Sequence, residues 1–203
     1  MQRNASLVAL TALALSACSG WKSDRTPARR DRWQHPERVV ESLRIRPGDH
    51  VVDLGAGWGY FTFRLADAVG PAGRVYAVEI DEERARSLER AAREGGFPNV
   101  EVILAKPGDP LLPDGEIDLV FLCNAYHHIQ DRVDYFDRLR VDLKRDGRVA
   151  IVDGRDVFAW LTLGHFPTRA TRHAEMSAAH YRDAETFDFL RFQSFEVFAA
   201  GGS

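Results

Sequence analysis

From about residue 50 the chain alternates between two hydrophobic patterns. Short apolar runs rich in β-branched residues fall at His50–Leu54, Arg74–Glu79, Asn99–Leu104, Ile117–Cys123 and in the stretch ending at Asp153. Runs of this length and character read as strands buried on both faces of a parallel sheet. Between them, apolar residues recur at helical spacing: Phe61, Leu65, Ala68 and Val69; then Ala85, Leu88 and Ala92; then Val133, Phe136, Leu139 and Leu143. Asp81 and Asp131 stand where helix caps are expected, and Gly95-Gly96 where a helix should stop. An earlier helix opens at Pro36, carries Val39, Val40 and Leu43, and ends at Pro47-Gly48. Residues 184–190 and 192–199 alternate with period two around a break at Arg191, which predicts an antiparallel hairpin. Residues 154–180 show no clean helical period. The whole reads as α/β: five parallel strands, a closing antiparallel pair and helices on both faces.

The stretch Val51-Val52-Asp53-Leu54-Gly55-Ala56-Gly57-Trp58-Gly59 joins the first strand to the first helix of this alternation. Gly55, Gly57 and Gly59 permit a sharp turn and let a ligand approach the main chain closely. A dinucleotide fingerprint would place its third glycine where Tyr60 stands, which argues against a dehydrogenase. Asp53, two residues before the first glycine, is poorly placed to meet a pyrophosphate and well placed to meet a cation or an amino group. Glu79 ends the second strand, where an acid can accept hydrogen bonds from both hydroxyls of a ribose. The plainer reading of Glu79 is a helix cap, but Asp81 and Glu82 can serve that purpose.

Asp53-x-Gly55-x-Gly57-x-Gly59 resembles the first motif of the class I S-adenosylmethionine-dependent methyltransferases. The entry Arg46-Pro-Gly-Asp-x-Val and the turn Leu143-Lys-Arg-Asp-Gly-Arg148 resemble the same family. The resemblance implies a Rossmann-like seven-stranded, mostly parallel sheet and S-adenosylmethionine as cofactor. Asp53 and the Gly55–Gly59 backbone would place its amino-acid end, and Glu79 its ribose. The family carries an acid after the third strand to hold the adenine. Here the segment reads Ala105-Lys106-Pro107-Gly108-Asp109, so Lys106 occupies that slot, with Ala105 left to flank the ring and Asp109 to reach it. Asn124 follows the fourth strand and would face the reacting methyl. His127 and His128 come next. Either is a candidate general base; the alternative is that the pair packs under the sheet edge and lines the cleft. No cysteine or acid joins them at ligand spacing, so no metal site is expected.

Composition alters this picture little. A chain of 203 residues with net charge −3 has no basic surplus to suggest nucleic acid as a partner. The N-terminus adds more. Arg3, an apolar run from Ala5 to Leu15 and Leu15-Ser16-Ala17-Cys18 have the order of a bacterial export signal with a lipoprotein box. The expected division is a signal peptide at 1–17, a lipidated Cys18 with a polar tether at 18–32, and a methyltransferase domain at 33–203. A lipid anchor at Cys18 would hold the protein on the non-cytoplasmic side of a membrane; if the leader is unused, the protein is cytoplasmic. Cys123, in an apolar run, reads as a small core residue. The function implied is methyl transfer to an unidentified small-molecule acceptor. The rivals are a non-catalytic ligand-binding or interaction lipoprotein on the same scaffold, favoured by Lys106, and a different transferase of the same fold.

Overall fold

The structure is a computed structural model, and the residues it describes are 27–156 and 166–201. The leader, Cys18 and most of the tether, with Trp160 and His165, lie outside the described residues. Seven strands form one sheet: β1 (His50–Leu54), β2 (Arg74–Glu79), β3 (Val100–Leu104), β4 (Ile117–Cys123), β5 (Leu143–Gly154), β6 (Tyr181–Phe187) and β7 (Gln193–Ala200). Their order is β3-β2-β1-β4-β5-β7-β6. The first five run parallel, and β7 is antiparallel to both β5 and β6. The Rossmann-like α/β fold expected from the sequence is the fold observed.

Burial on both faces explains the continuous apolar runs. Successive residues of one strand enter opposite cores. Val52, Val120 and Ile151 pack on one side with Tyr126, Phe136, Leu139 and Met176. Val51, Leu119 and Val152 pack on the other with Leu43, Leu65, Val69 and Phe195. The helices that cover the sheet are α1 (Pro27–Gln34), α2 (Pro36–Ser42), α3 (Thr62–Val69), α4 (Glu82–Gly95), α5 (Arg132–Leu139) and α6 (Arg169–Ala178). The α4 ends are as expected: Asp81 accepts from the Arg84 N–H at 3.0 Å, and Gly96 closes the helix in the left-handed region at φ 72°.

Four local differences from the sequence reading have physical causes. The last part of the tether stretch, residues 27–32, is helical, forming one helix with Trp33 and Gln34 that packs on the domain through Asp31 and Gln34. Asp131 stands at the start of α5 but has φ 46° and makes no side-chain cap bond. Leu143 opens β5 instead of continuing α5, because its neighbour in the sheet is Ile117. Strand β6 begins at Tyr181, three residues before the alternation that predicted it, because Tyr181 is buried and hydrogen-bonds the Phe136 carbonyl at 3.0 Å.

Helix α6, which the sequence pattern did not reveal, is fixed by a buried ion pair. Arg172 is fully buried and its Nε donates to Glu196 Oε2 at 3.0 Å. Further guanidinium bonds reach Ser194 Oγ and the carbonyls of Pro167 and Gly154. Removing one partner of a buried, hydrogen-bonded pair strands the other charge. Arg172→Ala should therefore cost roughly 3–5 kcal/mol of folding free energy, read as a lowered denaturant midpoint. Glu196 keeps a second partner in Arg169 at 3.1 Å, which places the expected value toward the lower end.

Candidate functional site

The chain leaves β1 for β2 and β3 on one side, then returns to β4 on the other. The strand order therefore reverses between β1 and β4, and in open α/β sheets the carboxyl edge at such a reversal is where a crevice for a ligand forms. The glycine turn lies at this edge. Gly55, Gly57 and Gly59 have φ of 81°, 59° and 82°. A Cβ on Gly55 would stand 2.7 Å from the Ala125 Cβ, and one on Gly59 would stand 2.5 Å from Leu88 Cδ1. The Ala125 Cβ cannot yield without its backbone, so packing requires Gly55, whereas the Leu88 side-chain end opposite Gly59 can shift. A Cβ on Gly57 meets no described atom within 4 Å, so this is the position where backbone faces open space.

Two buried acids flank the turn. Asp53 accepts from Thr62 Oγ1 at 2.6 Å. Burial pushes its carboxyl up to about 6, against the pull of the Thr62 hydrogen bond and the Arg30 charge. Glu79 is 4% exposed and is already engaged. Its Oε1 accepts from the Ile80 and Asp81 N–H groups at 2.8 and 3.0 Å, and its Oε2 from the Gly57 N–H at 2.8 Å. A carboxylate offers about four acceptor positions. Three are filled, so in this arrangement one is left for a hydroxyl, where the sequence reading has Glu79 unencumbered and able to take two.

The adenine-side residues are more spread out. Ala105 is buried and its N–H donates to the Glu79 carbonyl at 2.9 Å, which ties the tips of β3 and β2 together. Asp109 is exposed, and its Oδ1 accepts from the Leu111 N–H at 2.9 Å in a turn that pairs Lys106 with Asp109 through their backbones. Lys106 is exposed in the same turn. On the other side of the crevice Asn124 has φ 57°, and its Oδ1 accepts from Gln193 Nε2 at 2.6 Å. Cys123 packs against the core, as the sequence suggests, and also makes a polar contact. Its Sγ accepts from Gln34 Nε2 at 2.8 Å, and burial pushes the thiol up to about 11, so it stays protonated and is a poor nucleophile.

The structure separates the two histidines. His127 is inside, its side chain 4% exposed, with Nδ1 at 2.8 and 3.0 Å from the two oxygens of fully buried Asp153. Asp153 also accepts from the backbone N–H groups of His127 and Gly154. Against an ionised carboxylate Nδ1 carries the proton, which makes Nε2 the basic nitrogen. His128 is exposed. Asp153 escaped the sequence reading, although it ends a buried apolar run as Asp53 nearly does. Among the described residues no three His, Cys, Asp or Glu side chains converge as metal ligands would.

A family model described as a methyltransferase domain matches residues 45–193. The chain belongs to this methyltransferase domain family. Nocamycin O-methyltransferase of Saccharothrix syringae is 32% identical over 114 residues, 56% of this chain and 41% of that protein. A ubiquinone/menaquinone biosynthesis C-methyltransferase of Hydrogenovibrio crunogenus is 29% identical over 116 residues, 57% of this chain and 46% of that protein. The chain thus spans less than half the length of these two relatives. The crystal structure of a SAM-dependent methyltransferase from Aquifex aeolicus superposes with a TM-score of 0.78 at 22% identity. The match covers 89% of this chain and 97% of that one. The methyltransferase-domain model takes in Asp53, the glycine turn, Glu79, Asn124, His127 and Asp153 together.

Gly55 and Gly57 should respond differently to substitution. Gly55→Ala combines a left-handed φ with a backbone-adjacent clash and should lower the melting temperature most. Gly57→Ala incurs only the left-handed penalty of about 1–2 kcal/mol and should stay folded, yet lose binding of S-adenosylhomocysteine, because its methyl projects into the crevice. Thermal unfolding and calorimetry on the two variants check this.

Proposed function

We propose that the protein transfers a methyl group from S-adenosylmethionine to a small-molecule acceptor. The observation that carries this reading is a family-matched domain whose glycine turn, open at Gly57, stands between two buried carboxylates at neighbouring strand tips. The donor set fits the group. Asp53 suits an ammonium, Glu79 keeps one acceptor position for a ribose hydroxyl, and Ala105 offers backbone beside a ring. S-adenosylmethionine, when bound, supplies a methyl on a sulfonium that is already an activated leaving group. The chain's own task is then mainly alignment, which can provide much of the acceleration by itself.

Asn124, held by Gln193 at the end of β4, is the residue placed against the reacting methyl in this reading. His127, oriented by Asp153, can take a proton through Nε2 from an acceptor hydroxyl or N–H as that atom is methylated. We assign this role to His127 because the buried Asp153 carboxylate fixes its ring. The two relatives named above are an O- and a C-methyltransferase, and a small-molecule acceptor is the class proposed here. Lys106 favours a second reading, a scaffold that binds a ligand without turning it over. We also propose that Cys18 is lipidated and anchors the protein on the non-cytoplasmic face, on the support of the apolar run and the Leu-Ser-Ala-Cys box.

Calorimetric titration with S-adenosylmethionine and S-adenosylhomocysteine tests the cofactor. Micromolar binding that is lost in Asp53→Ala supports the reading, and absence of binding by folded protein removes it. The pH dependence has a defined sign. An ammonium favours ionised Asp53, so below about 6 binding must expel a proton. Affinity for S-adenosylhomocysteine should hold near neutrality and fall about tenfold between about pH 7 and about pH 5. For the anchor, Cys18→Ser should move the protein from the membrane to the soluble fraction, and continued membrane association would count against lipidation.

A further inference from the structure

Helix α1 begins within the stretch that the sequence suggests is a polar tether, yet three of its side chains contact residues next to the glycine turn and at the end of β4. Asp31 Oδ1 accepts from the Tyr60 hydroxyl at 2.5 Å and from Arg64 Nη2 at 3.3 Å. Gln34 is fully buried, and its Nε2 donates to Gln193 Oε1 and Cys123 Sγ, both at 2.8 Å. The helix is therefore pinned at once to the glycine-turn side and to the ends of β4 and β7.

These contacts position Arg30. Its guanidinium lies 3.7 Å above the Tyr60 ring, its Nε donates to Gln34 Oε1, and its Nη2 is 3.7 Å from Cys123 Sγ. It thus lies against the end of β4 at Cys123 and against Tyr60, which follows the glycine turn, and its charge also acts on Asp53. Among the described residues no carboxylate lies within ion-pair distance of it. A zwitterionic amino acid needs an anion for its ammonium and a cation for its carboxylate. Asp53 meets the first need, and a planar guanidinium fixed by Tyr60, Gln34 and Cys123 meets the second.

We propose that Arg30 holds the carboxylate of the cofactor's amino-acid end, which makes α1 a wall of the cofactor site. The proposal rests on the S-adenosylmethionine reading above. Its consequence is that the chain leading out of the domain toward Cys18 starts at the cofactor itself.

The test compares three probes on the full chain: S-adenosylmethionine, its decarboxylated form, and 5′-methylthioadenosine, which lacks both ammonium and carboxylate. In Arg30→Gln the affinity for S-adenosylmethionine should fall roughly ten- to a hundred-fold. Affinity for decarboxylated S-adenosylmethionine and for methylthioadenosine should match the unsubstituted protein. Arg30→Lys, which restores charge without the fork, should recover part of the loss. Equal weakening toward all three probes would make Arg30 a packing residue and overturn the proposal, as would unchanged affinity for S-adenosylmethionine. If the unsubstituted protein binds none of the probes, the cofactor reading itself fails and takes the proposal with it. Binding of methylthioadenosine without any preference for the carboxylate-bearing probe overturns this proposal alone.

Discussion

The carboxylate of Glu79 joins the glycine turn to the tip of the second strand. By accepting the Gly57 N–H on one oxygen and the Ile80 and Asp81 N–H groups on the other, it satisfies one backbone donor of the left-handed glycine turn and two where the chain leaves β2. Buried donors left without partners would each cost about 1–3 kcal/mol. The turn's shape, and with it the place where a ligand can approach Gly57, thus depends on an acid that also faces that ligand. Site and fold share one group, and a substitution at Glu79 cannot remove one of its roles without the other. Gly57 and Arg30 are cleaner probes, because neither fills a core position.

The same economy runs along the carboxyl edge of the sheet. Asp53, Glu79 and Asp153 are buried acids at or near the ends of β1, β2 and β5. Each is stabilised differently. Thr62 serves Asp53, three backbone N–H groups serve Glu79, and His127 with two backbone N–H groups serves Asp153. Arg30 adds a cation from outside the sheet, and Arg172 braces the β5–β7 side by bonding the Gly154 carbonyl and Glu196. Several like charges at one edge repel. They are tolerable because the donors are fixed before any ligand arrives, which is also what a preorganised polar site requires.

What the sequence made legible was whatever is written locally. Strands buried on both faces announce themselves as apolar runs, and a turn that needs positive φ is spelled in glycines. The family motif added an acid on each side of it. What stayed illegible depends on contacts between distant residues. Arg30 and Asp31 look like polar tether positions and Gln34 like the exposed edge of the domain, because nothing near them in the chain says that Tyr60, Cys123 and Gln193 wait for them. Helix α6 shows no clean apolar face because one of its inward residues, Arg172, is charged and pays its way through Glu196, 24 residues on. Asp153 could have been noticed, since an acid closing the run Val149–Val152 would otherwise be stranded in a core. Its partner His127 lies 26 residues earlier, so only the parallel pairing of β4 with β5 brings them together.

Lys106 is the departure that most invites doubt about a working cofactor site, and its surroundings limit the damage. The residue is exposed in a turn closed by its own backbone pairing with Asp109, and it takes no part in either core. Beside it the tips of β2 and β3 present Ile80 and Leu104, 64% and 48% exposed, around the buried Ala105. Apolar surface of that kind suits a flat ring, and burying a ring against it yields roughly 25 cal/mol per Å² without any polar partner. An acid in the slot of Lys106 would add discrimination between bases more than it would add affinity. On the reading proposed above, the anchoring charges are Asp53 and Arg30, which would grip the other end of the cofactor. A site built this way can lose the adenine acid and still bind, provided its amino-acid end is gripped from both sides.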